Sequence, residues 1–306
     1  MIKELRETIN GYFVGKEAVV EDILTCILAG GHILLEDVPG VGKTTLSKTI
    51  AQAMGLDYGR IQFTPDTLPS DVTGISVFNM KTNEFEFREG AIMHQMILAD
   101  EINRTSPKTQ AALLEAMGEG QVSADGKLMK LPEPFVVIAT QNPIEYIGTY
   151  PLPEAELDRF MMRLSIGYPS MEKELLMARN HLAHKELASV NNEMTAEDII
   201  AAKKAVDAVQ VSDAVLQFIY NIIDLTRKEA RYVTGASPRA LLQLTKAAQA
   251  KAYLSERTFV TPDDVKAVAV NVLRHRLTLS QDARVRKEDS GKILSALLAS
   301  AKVPVK

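Results

Sequence analysis

Cysteine is almost missing from this chain: Cys26 is the only one in 306 residues. That excludes an internal disulfide and a cysteine-built metal site, and with them the small secreted scaffolds and the zinc ribbons. Cys26 itself reads as a small buried apolar residue. Uninterrupted apolar stretches are equally scarce. A membrane helix needs ~18 such residues, and the best candidate, ILTCILAGGHILL, is cut by Gly30, Gly31 and His32. The opening MIKELRETINGYF carries Lys3, Glu4, Arg6 and Glu7 where a signal peptide needs an apolar centre, so a soluble, cytoplasmic protein is expected. Nor is there an excess of positive charge. Lys and Arg number 35 against 39 Asp and Glu, a formal charge of −4, which argues against wholesale binding of polyanions and leaves room only for a local basic groove.

What is present is ordinary globular material, 46% hydrophobic and 24% charged. The length predicts about two domains. Up to about residue 170, short apolar runs alternate with amphipathic stretches, the pattern of a parallel sheet flanked by helices. Strands are read at His32–Glu36, Arg60–Phe63, Met96–Asp100, Phe135–Thr140 and Arg163–Tyr168. After Pro169 the strand signals stop, and residues 171–306 read as helices separated by caps. Ser237-Pro238 and Thr261-Pro262 each give an N-cap followed by proline at the first helical position.

Directly after the first strand stands Asp37-Val-Pro-Gly-Val-Gly-Lys-Thr44, followed by Leu46, Ile50 and Met54 on one helical face and a stop at Gly55. Strand, glycine turn and helix form the context a phosphate-binding loop requires. Glycines let successive backbone N–H groups point into one concavity, and the helix adds the positive end of its dipole. Pro39, Gly40, Val41, Gly42, Lys43, Thr44 and Thr45 are therefore the candidate phosphate contacts. Lys43 is expected to reach the β and γ phosphates, and the Thr44 hydroxyl to ligate magnesium. The Walker A pattern wants glycine at position 37; this chain has Asp37.

Met96-Ile-Leu-Ala-Asp100-Glu101 is a hydrophobic strand ending in two carboxylates, which a parallel sheet delivers to the same edge as the loop. Asp100 suits the magnesium shell, and Glu101 suits polarisation of a water for in-line attack. The strand FVVIAT runs into Gln141-Asn142-Pro143, so the Asn142 amide falls beside the same edge, where it can hold that water by donating and accepting together. His181 and His184 share a helical face, but with no third ligand nearby they read as solvated. Arg274-His275-Arg276 reads as a structural helix end or part of a subunit contact.

The segments ILADEINRTSPKTQAALLEAMGEGQV, ATQNPIEYIGTYPLPEAELDRF and GASPRALL resemble the MoxR family of AAA+ ATPases, and the match runs through nearly the whole chain. The resemblance implies an α/β fold: a P-loop αβα parallel-sheet core over residues 1–170 and a C-terminal helical lid over 171–306. It implies magnesium-dependent ATP hydrolysis in a homo-oligomeric ring, read as a hexamer, with ATP sites between subunits. In such rings a neighbour's arginine completes the site; Arg159 in LDRF matches that position, with Arg163 as the second choice. Arg239 in ASPRA matches the sensor 2 arginine, a nucleotide contact.

The family further implies remodelling or maturation of a protein client, often with a partner bearing a von Willebrand factor A domain. A metal-chelatase motor subunit and a DNA-translocating ring share the architecture and stand as alternatives. Two hairpin insertions are also implied, facing the pore or the client. One lies in Thr64–Glu89, as a β-hairpin interrupting a helix, and the other in Glu119–Leu131, around Asp125-Gly126. The second carries Lys127 and Lys130 against Glu119 and Asp125, a neutral lining that suits DNA poorly.

Overall fold

The computed structural model describes residues 2–13, 15–124, 127–142, 148–168, 170–182 and 194–303. Asp125, Gly126, Pro143 and His184 fall outside them, as do the side chains of Lys127 and His181. The chain packs as two compact units, the first comprising Met1–Ile23, His32–Leu152 and Leu164–Ile200, the second Leu24–Gly31, Pro153–Arg163 and Ala201–Lys306.

Along the chain, α1 (Ile2–Tyr12) and α2 (Glu17–Leu28) precede β1 (Ile33–Glu36), and α3 (Lys43–Ala53) leads into β2 (Tyr58–Gln62). A short α4 (Pro69–Thr73) enters a hairpin of β3 (Gly74–Asn79) and β4 (Glu84–Glu89). Then come β5 (Met96–Asp100), α5 (Pro107–Glu119), a second hairpin of β6 (Gln121–Ala124) and β7 (Lys127–Lys130), and β8 (Val136–Gln141). The central sheet has five strands in the order β2-β5-β8-β1-β9, where β9 is Met162–Leu164. The pairs β2/β5, β5/β8 and β1/β8 are parallel.

Strand β5 is buried at every position and β8 at all but its last. This is why MILAD and VVIAT are continuous apolar runs instead of alternating ones. Full burial of a side chain such as Ile97 or Leu98 contributes about 1.5–3 kcal/mol. The register sets Ala99 opposite Ala139 and Leu35 opposite Thr140, so the carboxyl ends of β1, β5 and β8 finish at one edge. That edge is where parallel sheets hold ligands.

Three expectations are corrected. The last strand of the sheet stops at Leu164 instead of running to Tyr168, because polar backbone groups of residues 166–168 are taken by side chains described below. The first insertion follows a single-turn helix, and no helix resumes between β4 and β5, so it adjoins a helix end and does not interrupt one. Strand does recur after Pro169: β10 (Tyr232–Thr234) pairs antiparallel with β11 (Thr278–Leu279).

The remaining helices are α6 (Glu154–Leu157), α7 (Met171–Leu182), α8 (Ala196–Asp207), α9 (Asp213–Lys228), α10 (Pro238–Leu254), α11 (Pro262–Leu273), α12 (Gln281–Val285) and α13 (Ser290–Ser300). The caps expected for α10 and α11 form: Ser237 accepts from the Ala240 N–H, and Thr261 and Asp264 make a reciprocal capping box. On α9, Val215, Phe218, Ile219, Ile222 and Ile223 make the buried stripe of an amphipathic helix. Among the described residues, no helix is long and apolar enough to cross a membrane.

Candidate functional site

The loop between β1 and α3 turns on two glycines in left-handed conformations, Gly40 at φ 86° and Gly42 at φ 90°. A side chain at Gly40 would meet nothing within 4 Å, so the glycine is required by its backbone angle and not by crowding. Gly42 caps α3 without any side-chain hydrogen bond, whereas α5, α9, α10, α11 and α13 all have a Ser, Thr or Asp cap accepting from the first turn. An uncapped first turn keeps its N–H donors for another acceptor. Pro39, Gly40 and Thr45 are exposed, and Val41, Lys43 and Thr44 are half-buried beside them.

Asp37, the departure from the Walker A pattern, is buried and has work of its own. Its carboxylate accepts from the Ser165 hydroxyl at 2.8 Å, the Ile166 N–H at 2.5 Å and the Gly167 N–H at 3.1 Å. Lys16 holds the opposite polarity of the same stretch, donating its ammonium to the carbonyls of Ile166, Gly167 (3.1 Å) and Tyr168 (2.9 Å). A glycine at position 37 would leave three donors without this acceptor. Leaving such donors unpaired costs about 1–3 kcal/mol for each that stays buried. Asp37→Gly is therefore expected to lower the thermal midpoint by several degrees even though it restores the Walker A consensus. Scanning calorimetry showing an unchanged midpoint would remove Asp37 from the loop's support.

At the sheet edge, Lys43 donates its Nζ to the Asp37 carbonyl at 2.8 Å. Burial pushes its ammonium below the usual lysine range, while the charges of Asp37, Asp100 and Glu101 act in the opposite sense. The lysine and the carboxylates of Asp100 and Glu101 thus share one electrostatic neighbourhood. Asp100 accepts from the Thr140 hydroxyl at 2.7 Å on Oδ1 and from the Arg60 guanidinium at 2.6 Å on Oδ2. Glu101 takes the left-handed conformation at φ 57° and ψ 48°, which costs a non-glycine residue about 1–3 kcal/mol. Its N–H donates to Thr140 Oγ1 at 2.8 Å, and its Oε2 accepts from Gln62 at 3.0 Å and Arg104 at 3.1 Å. Asn142 is buried directly beyond β8, and its carbonyl accepts from the Asn103 amide at 3.5 Å.

Arg60, Gln62 and Thr140 were not singled out from the sequence. The sequence carries only the alternation of Arg60 and Gln62 with the buried Gly59 and Ile61 on β2; it is the register that puts Gln62 opposite Asp100.

The arginines belong to the second unit. Arg159 follows α6, whose C-cap is Asp158, and is half-exposed. Arg239 is the second residue of α10 and lies 3.8 Å from Asp158. Arg163 is held differently. Burial and the neighbouring Arg274 push its guanidinium down to about 10 against the opposing help of Asp289.

His275 is buried with its Nε2 donating to the Phe160 carbonyl at 3.0 Å, and burial together with Arg276, Arg163 and Arg274 holds its pKa well below 6.5. The folded state therefore keeps it neutral, while the unfolded chain takes up a proton as pH falls below about 6.5. Its contribution to stability is complete above that pH and is lost on acidification, by at most about 1.4 kcal/mol per pH unit. His275→Gln is expected to flatten the fall of the thermal midpoint between pH 7 and pH 5; an identical slope in both proteins would contradict this.

A glycine loop between a buried strand and an uncapped helix, faced by a lysine and two strand-end carboxylates, defines a P-loop ATPase of αβα build, here joined to a helical unit. Residues 32–162 match the ATPase family associated with various cellular activities (AAA), and residues 224–297 match the AAA lid domain. The chain is 38% identical to chaperone MoxR1 of Mycobacterium tuberculosis over 95% of this chain and 79% of that protein. It is 48% identical to the uncharacterized protein YeaC of Bacillus subtilis, covering 98% of this chain and 93% of that one. A crystal structure from Cytophaga hutchinsonii, described as a candidate ATPase, superposes with a TM-score of 0.92 at 38% identity, over 99% of this chain and 95% of that one. The chain belongs to the MoxR family of AAA+ ATPases.

Proposed function

We propose that the chain hydrolyses ATP with magnesium, as a homo-oligomeric ring in the cytoplasm, and uses the turnover to remodel or mature a protein client. The observation that carries the hydrolytic part is the shared neighbourhood of Lys43, Asp100 and Glu101 at the mouth of the uncapped α3. The donor chemistry fits magnesium: the Asp100 carboxylate and the Thr44 hydroxyl are hard oxygen ligands, and the Arg60 guanidinium now on Asp100 Oδ2 marks a place for a cation. Held by Asp100 and the Thr44 hydroxyl, magnesium would supply positive charge to offset the charge of the phosphates.

In this reading Pro39 to Thr45 cradle the phosphates and Lys43 exchanges the Asp37 carbonyl for phosphate oxygen. Glu101 leaves Gln62 and Arg104 to take a water's proton, and Asn142 orients that water. Arg239 meets nucleotide from the lid, and Arg159 acts on the neighbouring subunit's γ phosphate. Six subunits and a von Willebrand factor A partner complete the proposal. The domain division at residue 170 belongs to it as well.

The client part draws on the likeness to chaperone MoxR1 and on the hairpin β3–β4. There Met80 is 88% exposed and Phe85 71% exposed, with Phe78 packed edge-on against Phe85 at 5.3 Å. Apolar side chains held out on a hairpin suit transient contact with a polypeptide. The test is phosphate release by the purified chain with and without magnesium, followed by capture with a Glu101→Gln variant in ATP. Magnesium-independent turnover would refute the metal assignment. A captured partner whose folding or assembly state does not change during turnover would refute remodelling.

A further inference from the structure

The turn formed by Arg274, His275 and Arg276 lies in the second unit and has no share in the phosphate chemistry. Yet all three side chains converge on one strip of main chain in that unit, residues 158–163. Arg274 donates Nε and Nη2 to the carbonyl of Arg163 at 3.1 and 2.7 Å. His275 donates Nε2 to the carbonyl of Phe160. Arg276, whose side chain is 2% exposed, donates Nε to the Asp158 carboxylate at 2.7 Å. It also donates Nη1 to the Met161 carbonyl at 3.2 Å and Nη2 to the carbonyls of Phe160 and Asp158. The Val272 carbonyl and the Gln243 side-chain amide oxygen fix the guanidinium from its own side.

A buried guanidinium is expensive to desolvate, and apolar side chains of similar volume fill a core at least as well. What apolar packing cannot do is set the orientation of individual peptide planes. The carbonyls held are those of residues 158, 160, 161 and 163, on both sides of Arg159, whose own side chain stays half-exposed. We propose that Arg276, with His275 and Arg274, is a positioning device for Arg159: it fixes the peptide planes flanking that residue so that its guanidinium leaves the subunit in one direction. This rests on the reading of Arg159 as the residue that completes a neighbour's site. Arg276 touches neither nucleotide nor a reacting atom in this scheme. Its influence is geometric, and a misplacement of 1 Å is enough to lower a rate by about 10²-fold.

The test uses the full chain in its assembled form. Arg276→Met is expected to lower kcat about 10²-fold while KM for ATP stays within about twofold, because the subunit's own phosphate half is untouched. Arg276→Lys, which keeps the charge and loses the fork, is expected to recover little of the loss.

The discriminating step is mixing. Arg276→Met subunits joined with Lys43→Ala subunits, whose Arg159 is intact, are expected to regain turnover, since the neighbour then supplies a well-placed arginine. A defect that merely spoils the subunit's own lid is not rescued this way. Arg274→Ala, at a half-exposed position, is the milder companion if Arg276→Met lowers the thermal midpoint, and is expected to show the same pattern with a smaller fall in kcat. Unchanged kcat in Arg276→Met, or in Arg274→Ala if that becomes the test, overturns the proposal. So does failure to recover on mixing where Arg159→Ala with Lys43→Ala does recover. If that control pair also fails in demonstrably mixed rings, the role of Arg159 falls, and the positioning role falls with it.

Discussion

Lys43→Ala is expected to lose tight ATP binding, whereas Glu101→Gln is expected to bind ATP and fail to turn it over. Lys43 is the cation at the mouth of α3, resting at 2.8 Å on the Asp37 carbonyl, and Asp37, Asp100 and Glu101 counter the effect of its burial. Charge-assisted hydrogen bonds to phosphate are about twice as strong as neutral ones, so their loss falls on affinity. Glu101 differs because its carboxylate is engaged by Gln62 and Arg104, and its proposed task is to accept a proton from water. An amide of the same shape keeps those neighbours and cannot take the proton, at a cost of about 10²–10⁴ in kcat. Titration with a fluorescent nucleotide and a phosphate-release assay separate the two. Equal losses of affinity in both variants would refute the role of Glu101.

Arg159→Ala is expected to bind ATP nearly normally and hydrolyse it about 10³–10⁵-fold more slowly, the range for an arginine that neutralises charge on a phosphoryl group in flight. The residue follows Asp158 at the end of α6 and stays half-exposed, while Arg163 four positions on is drawn into its own unit. Because the arginine acts on a neighbour, an inactive Arg159→Ala subunit and an inactive Lys43→Ala subunit each lack a different half of a site. Their mixture is expected to recover ATPase activity at the interfaces that join the intact halves, which no monomer can do. Co-assembled mixtures that stay as inactive as either parent would reassign the role to Arg163.

Much of the site was legible because its chemistry depends on local pattern. A phosphate loop needs glycines at fixed offsets between a strand and a helix, and Gly40 and Gly42 take the positive φ angles that the spacing demands. The carboxylates of Asp100 and Glu101 end an apolar run too short for a helix of its own, and β5 is buried throughout. Caps are equally local: Ser237 and Thr261 bond the N–H groups three residues on. The double burial of MILAD and VVIAT also announced a covered sheet before any strand order was known.

The amino-acid sequence by itself therefore determined the α/β class, the loop, the strand-end carboxylates and the capped helices, since each follows from interactions within a few residues. Tertiary structure decided the rest, because the remaining interactions join residues far apart in the chain. Asp37 looked like a lapse from consensus and is instead the acceptor for Ser165, Ile166 and Gly167, with Lys16 gripping the same stretch from its carbonyl side and ending the strand early. Arg60 and Gln62 gained meaning only when β2 lay beside β5 and brought them to Asp100 and Glu101. The Arg274–Arg276 turn, read along the chain as positive charge at a helix end, is a clamp on carbonyls more than a hundred residues earlier. No local pattern encodes a partner at that separation: a guanidinium finds its acceptors only after the sheet and helices have brought them within hydrogen-bonding distance.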